Sequence, residues 1–392
     1  MVDGAFEMNK VNIFRSPNKV VFGNGVASQV GAEVAKKGAR KALIITDTGV
    51  VKSGLTREVE DSLKALKIEY GLFDRVEAEP PAHIVDECAR EIKEKGYDII
   101  IGVGGGSSLD VSKGASIVVT NGGGVLDYVG REMVPRAGVP KILMPTTAGT
   151  GSEVSWVFVV TDEKDNDKKV IFSYYNLADV AIVDPLLTLS MPPNLTADTG
   201  VDALTHAVET YVSRTSTPFG DILALEAIRL IGDNLPVAYA KAENVEARYN
   251  MSLGATVAGL AFGSGGVGAV HALAYVLDTE WHMSHGRTNA IMLPYVVDYN
   301  KTGNPAKYAR IAQAMGEQTE GLSDYQAAER LVLRLHQLLA DVGIPDKLGA
   351  YGISADDLPR LVAGGMKQSR LFTVNPRDLT EKDVEGIYRK AL

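Results

Sequence analysis

The chain has 392 residues, 45% of them hydrophobic and 23% charged, and a formal net charge of -9. That length exceeds what one hydrophobic core usually serves, so two domains are expected, and the ordinary globular composition excludes a disordered or fibrous chain. Its 40 basic and 49 acidic residues form no block of like charge, and its single cysteine, Cys88, excludes an internal disulfide, so neither nucleic acid nor membrane is an expected partner and the expected compartment is a reducing cytoplasm.

From Val11 to about Pro185, short β-branched runs alternate with amphipathic stretches. Val20–Phe22 precedes a helix over 27–37, Ala42–Thr46 one over 56–67, Tyr70–Phe73 one over 82–95, and Asp98–Ile101 one over 109–119. Strands apolar on both sides and alternating with helices predict a mainly parallel, Rossmann-like sheet, an α/β domain over residues 1–185. Lys141–Met144 adds a buried strand, and Trp156–Val160, Lys169–Phe172 and Ala181–Val183 are expected as further, partly antiparallel strands. Met191-Pro192-Pro193-Asn194 then breaks the pattern. Apolar residues recur afterwards at helical spacing, predicting an all-α domain over 186–392 with helices at 196–211, 218–235, 245–262, 269–277, 287–300, 306–315, 324–342, 355–363 and 381–392. No run of apolar residues reaches the length of a membrane span.

Gly104-Gly105-Gly106-Ser107-Ser108-Leu109-Asp110 joins the strand at 98–101 to the next helix. Glycines there let backbone approach a phosphate closely, and the helix start offers unpaired N–H groups to a diphosphate. Thr146-Thr147-Ala148-Gly149-Thr150-Gly151-Ser152 repeats small hydroxyls and glycines after another strand, chemistry suited to a nucleotide. Asp47 ends an early strand, where an acid accepts from ribose hydroxyls and repels a 2'-phosphate; the same residue reads equally as a helix cap. Gly263-Ser-Gly265-Gly-Val-Gly268 matches a dinucleotide-binding string but lies in the helical half without βαβ context, so a loop or close helix approach is expected.

Asp202 and His206 lie four apart, on one helical face. Alone, such a pair also reads as a surface hydrogen bond. Four of the six histidines, however, fall between His206 and His285, and Asp202, His206, His271 and His285 together make an N3O set for a divalent transition metal.

These segments resemble the iron-dependent (group III) alcohol dehydrogenases. The resemblance rests on Gly104-Gly105-Gly106-Ser107-x-x-Asp110-x-x-Lys113, Thr146-Thr147-Ala148-Gly149-Thr150-x-Ser152-Glu153, Gly200-x-Asp202-Ala203-Leu204-x-His206-x-x-Glu209, His285-Gly286-x-x-Asn289-Ala290 and Asn375-Pro376-Arg377. It implies a dinucleotide-binding α/β domain followed by an all-helical domain, and a homodimer or higher homo-oligomer. Metal ligands carry over to Asp202, His206, His271 and His285, with Fe(2+) the expected ion and Zn(2+) the alternative. NAD contacts carry over to Gly104, Gly105, Ser107, Thr146 and Thr147, with Asp110 and Ser152 in the same loops, Asp47 as the NAD-selecting acid, and Lys168, beside Lys169, near a cofactor-contacting lysine. Tyr275 stands where many relatives carry a histidine, so the proton relay is assigned to His282 or Tyr275. The implied reaction is hydride transfer between NAD(H) and a small primary alcohol or aldehyde. Arg287 and Arg370 are candidate clamps for an acidic group on the substrate, which makes a reductase of an anionic semialdehyde or sulfo-aldehyde the alternative. A cyclase of dehydroquinate synthase type would share the architecture, but no dense Lys/Arg set surrounds the metal motifs; a non-catalytic nucleotide-binding module is the remaining rival.

Overall fold

A computed structural model describes residues 11–165 and 167–392. The described chain divides into two compact units, Arg15–Met191 and Pro192–Leu392, the second joined by the described residues up to Phe14.

The first unit runs through β1 (Val20–Phe22), α1 (Val30–Lys36), β2 (Lys41–Ile45), α2 (Thr48–Lys52), α3 (Arg57–Ala65), β3 (Glu69–Phe73), α4 (Ala82–Lys95), β4 (Ile99–Gly104), α5 (Gly106–Asn121), β5 (Gly130–Arg131), β6 (Lys141–Pro145), β7 (Val157–Asp162), β8 (Asp167–Phe172) and β9 (Val180–Val183). Six strands form a wholly parallel sheet in the order β1-β9-β6-β4-β2-β3. Alternate residues of β2 and β4 feed opposite faces. Leu43, Ile45 and Ile100 pack with Val85, Cys88 and Ile92 of α4 and Val111 of α5. Ala42, Ile44, Ile99 and Ile101 pack with Val30 and Val34 of α1 and Val59 and Leu63 of α3. Both faces are dry, as period-two side chains between two helical layers require, and each fully buried isoleucine contributes about 1.5–3 kcal/mol.

The three later strands separate. β9 is buried at every position and enters the parallel sheet between β1 and β6, whereas β7 and the more exposed β8 pair antiparallel in a small sheet with β5. The sheet order also locates a crevice. β2 leads outward to β3, while β4 leads the other way to β6, so the connections part above the carboxyl ends of β2 and β4, where open α/β sheets bind ligands.

The second unit holds α6 (Pro193–Val212), α7 (Pro218–Ala240), α8 (Val245–Gly265), α9 (Ala269–Trp281), α10 (His285–Asn300), α11 (Pro305–Ala314), α12 (Asp324–Asp341), α13 (Leu358–Lys367) and α14 (Glu381–Ala391). α6 packs against α7, α8 and α10 and is buried without a break from Gly200 to Val212. Polar residues on such a helix must find partners inside the protein. Several expected helices differ in extent, among them α9, which runs on past Leu277 to Trp281. α7 does not stop at Leu235 but passes through Pro236, because buried Leu235 and Ala238 anchor the turn around the lost N–H. The helix expected over 355–363 splits into a 3-10 turn, Ala355–Asp357, and α13. Gly265 ends α8 against Thr210 of α6, so the glycine string at 263–268 serves helix packing. Among the described residues no single helix is long and apolar enough to cross a membrane.

One close approach sets up the site. A Cβ on Gly286 would lie 2.5 Å from the Asp198 carbonyl oxygen. Only glycine lets the first turn of α10, which carries His285, press against the backbone of α6, which carries Asp202.

Candidate functional site

Helical periodicity places Asp202, His206 and Glu209 on one face of α6, and His271, Tyr275 and Asp278 on one face of α9. Candidate ligand atoms of Asp202, His271 and His285 all lie within 4.8 Å of one another. The Asn289 amide nitrogen sits among them, donating to Asp202 Oδ1 at 2.8 Å, 3.1 Å from His285 Nε2 and 3.3 Å from His271 Nε2. His206 falls outside that grouping, but its ring stacks on His271 with centroids 4.9 Å apart. Its Nδ1 is buried with no hydrogen-bond partner among the described residues.

Protonation states follow from the surroundings. Burial pushes against ionisation of Asp202, yet the imidazoles of His206, His285 and His271 and the Asn289 amide hold its carboxyl below the usual range. Burial lowers His206 to about 4, outweighing the pull of Asp202. His271 Nδ1 lies 2.6 Å from Glu209 Oε2, and His285 Nδ1 lies 2.8 Å from Asp278 Oδ2. A carboxylate at Nδ1 keeps the proton there and leaves Nε2 with its lone pair facing the cluster. An ionised carboxylate, a neutral His206 ring and imidazole Nε2 atoms gathered around one point are what a divalent transition ion requires of its donors.

In the first unit, Asp47 closes β2 and Gly104 closes β4, at the two strand ends flanking the crevice. Asp47 Oδ1 caps α2, accepting from Gly49 N at 2.8 Å and Val50 N at 3.0 Å, while Oδ2 faces the Ser108 hydroxyl at 3.5 Å. Gly104 has φ +153°, and a Cβ there would lie 2.5 Å from Ser108 Oγ, so the strand-to-helix turn needs glycine. Gly105 heads α5 with no side-chain cap, leaving the first N–H groups, including that of half-buried Ser107, available to an anion. Thr146 N–H donates to the Gly104 carbonyl at 2.9 Å, which docks the Thr146–Thr147 loop beside the glycine turn. Asp110 and Ser152 bind each other at 2.6 Å, and Asp110 also accepts from Val159 N–H. Buried Lys113 donates to Ser152 Oγ and to the Val157 carbonyl, and burial lowers it to about 8. Asp110 and Ser152 thus brace the two loops internally. Lys168 lies on β8 and pairs with Glu79 at 2.7 Å.

Family models match both halves: "iron-containing alcohol dehydrogenase" over residues 17–185, and the C-terminal region of the Fe-containing alcohol dehydrogenase family over 196–392. The chain belongs to the iron-containing alcohol dehydrogenase family. It is 42% identical over 372 residues to long-chain-alcohol dehydrogenase 1 of Geobacillus thermodenitrificans, covering 94% of each protein. The crystal structure of a 1,3-propanediol oxidoreductase superposes with a TM-score of 0.95 at 39% identity, covering 98% of this chain and all of that one. Sulfoacetaldehyde reductase from Bifidobacterium kashiwanohense in complex with NAD+ superposes at 0.88 with 28% identity, covering 97% and 99%. An iron-type alcohol dehydrogenase is an oxidoreductase acting on CH–OH groups, and that class holds for this chain.

Within this family member the remaining sequence candidates fall in different places. Tyr275, half-buried on α9, has its ring 6.0 Å from that of His285. His282 is exposed and forms the left-handed C-cap of α9, with φ 52°, so the structure does not bring it into the ring cluster. Arg287 is engaged by Asp198, Nε to Oδ1 at 2.6 Å, and reaches the Tyr351 hydroxyl; it ties α10 to α6. Arg370 is exposed in the 3-10 turn Ser369–Val374. Sequence reasoning gave no role to Glu209, Asp278 or Asn289. Each was findable by spacing, because Glu209 lies seven after Asp202, Asp278 seven after His271, and Asn289 four after His285.

Proposed function

We propose that the chain is an NAD(H)-linked, metal-dependent alcohol dehydrogenase and aldehyde reductase for small, uncharged primary alcohols and aldehydes. The observation that carries this reading is the convergence of Asp202, His271 and His285 beside the stacked ring of His206, with the Asp202 carboxyl held below its usual range and the His206 ring kept neutral by burial. These four residues would hold Fe(2+), with Zn(2+) accepted by the same donors. When bound, the ion supplies Lewis acidity toward the substrate oxygen, and NAD supplies the two-electron carrier for the hydride.

The protein's own part is positioning and proton handling. Gly104, Gly105 and Ser107 at the head of α5, with Thr146 and Thr147 docked alongside, bind the diphosphate, and Asp47 at the end of β2 favours an unphosphorylated ribose. Asp110 and Ser152 hold those two loops in register. Lys168, which pairs with Glu79 in this structure, is a further proposed cofactor contact. Tyr275, whose ring lies beside that of His285, would pass the proton of the substrate oxygen through its hydroxyl. The guanidinium of Arg287 is already matched by Asp198, which supports an uncharged substrate over an anionic one.

Anaerobically purified protein loaded with Fe(2+) or Zn(2+), assayed with NADH or NADPH against neutral, carboxylated and sulfonated aldehydes, tests the proposal. Higher kcat/KM for neutral aldehydes with NADH is expected. Preference for a carboxylated or sulfonated aldehyde would overturn the substrate assignment, and absence of turnover across the panel would overturn the dehydrogenase reading.

A further inference from the structure

Two buried carboxylates that the proposed reaction does not use stand directly behind the cluster. Glu209, 6% exposed, places Oε2 2.6 Å from His271 Nδ1 while Oε1 accepts from the Val270 N–H at 2.6 Å. Asp278, 2% exposed, places Oδ2 2.8 Å from His285 Nδ1, and its Oδ1 accepts from the Thr288 hydroxyl. In each case one oxygen is fixed by the surrounding fold and the other faces an imidazole. A buried carboxylate is unfavourable unless its partners need the charge, and packing alone would be served by an apolar side chain of similar volume. The third imidazole differs. His206 Nδ1 has no such acceptor, so that ring is held by its helix and by stacking on His271 and Phe262.

Resting on the metal-site reading above, we infer that Glu209 and Asp278 are positioning residues of the metal centre, each locking one imidazole with Nε2 turned to the ion. A carboxylate behind a ligating histidine fixes its tautomer and ring plane and raises its basicity, and losing such a partner typically weakens metal binding about 10–100-fold. Glu209 and Asp278 act on separate rings, so their effects add, whereas His206 has no equivalent contribution to lose.

The test titrates the metal-free protein with Co(2+) alone and follows its visible d–d absorption, with no turnover required. Glu209→Ala and Asp278→Ala are expected to raise the Co(2+) Kd about 10–100-fold each and to alter the band shape. Glu209→Gln and Asp278→Asn, which keep an acceptor oxygen, are expected to recover most of the affinity; they also carry the test if an alanine variant fails to fold. A melting scan of the metal-free variants separates packing from positioning. If the carboxylate variants melt lower yet bind Co(2+) as the wild type does, the residues are structural and the inference falls, while the metal site stands provided Asp202→Ala abolishes the band. If wild-type protein itself develops no Co(2+) band, the metal-site reading fails and this inference with it.

Discussion

A cation bound by Asp202, His206, His271 and His285 joins three helices, so its removal should loosen the unit Pro192–Leu392 more than the unit Arg15–Met191. Ligand present at 100 times its Kd stabilises the native state by about 2.7 kcal/mol. For a unit of about 200 residues each kcal/mol is worth about 2–4 °C, so saturating Fe(2+) or Zn(2+) should raise the melting temperature of the helical unit by about 5–10 °C. The two tryptophans allow each unit to be followed separately, since Trp281 ends α9, the helix of His271, and Trp156 lies in the α/β unit. With Trp156→Phe as background, fluorescence melting read through Trp281 should shift on adding metal and shift back with a chelator. Asp202→Ala should abolish the response. It also removes the hydrogen bond from the Asn289 amide to Asp202, worth about 0.5–1.5 kcal/mol, so the decisive quantity is the variant's response to metal rather than its absolute melting point. A wild-type transition at Trp281 that ignores metal and chelator would refute the reasoning.

Cofactor choice should turn on Asp47: Asp47→Ser keeps a capping oxygen for α2 but removes the charge, and the NAD-over-NADP ratio of kcat/KM should fall while the melting point changes little. Tyr275→Phe keeps the ring beside His285 and removes only the hydroxyl; kcat should drop by about 10²-fold at unchanged metal content, whereas His282→Ala should leave kcat as it was. The metal-free protein should also be acid-sensitive through His206. Burial lowers its folded pKa from 6.5 to about 4, so between those values the unfolded chain binds a proton that the native state refuses. Stability is therefore complete above pH 6.5 and is lost as pH falls toward 4, by about 3 kcal/mol. Denaturant midpoints at successive pH values should show this decline, and His206→Gln should flatten it.

Much of the arrangement is legible because it is local. Asp202 and His206 announce themselves by four-residue spacing, and the alternation of Leu43, Ile44 and Ile45 with amphipathic helices specifies a sheet buried on both faces. Asp47 was readable as a strand-end acid and as a cap, and the structure shows the cap outright. What escaped the sequence depends on approaches between distant segments. Nothing near Arg287 signals that Asp198, 89 residues earlier, neutralises it, and a clamp for an acidic substrate group is one reading the sequence allows. His285 meets Asp278 only because Gly286 lets α10 close on α6 and the chain reverses after Trp281. β9 is apolar throughout where β8 carries Asp167, Lys168 and Lys169, which fits its buried place in the parallel sheet; which strands it pairs with is a tertiary property. Strong local periodicity reports the helices that carry the donors, and the partners behind each imidazole are set by packing between those helices.

The most direct test of the central claim is Asp202→Ala, purified anaerobically, with bound iron measured by metal analysis and NADH formation measured at saturating neutral alcohol. The account predicts iron at background and a loss of about 10³-fold in kcat/KM, corresponding to several kcal/mol of charge stabilisation at the substrate oxygen. Wild-type iron content together with wild-type turnover in that variant would contradict it.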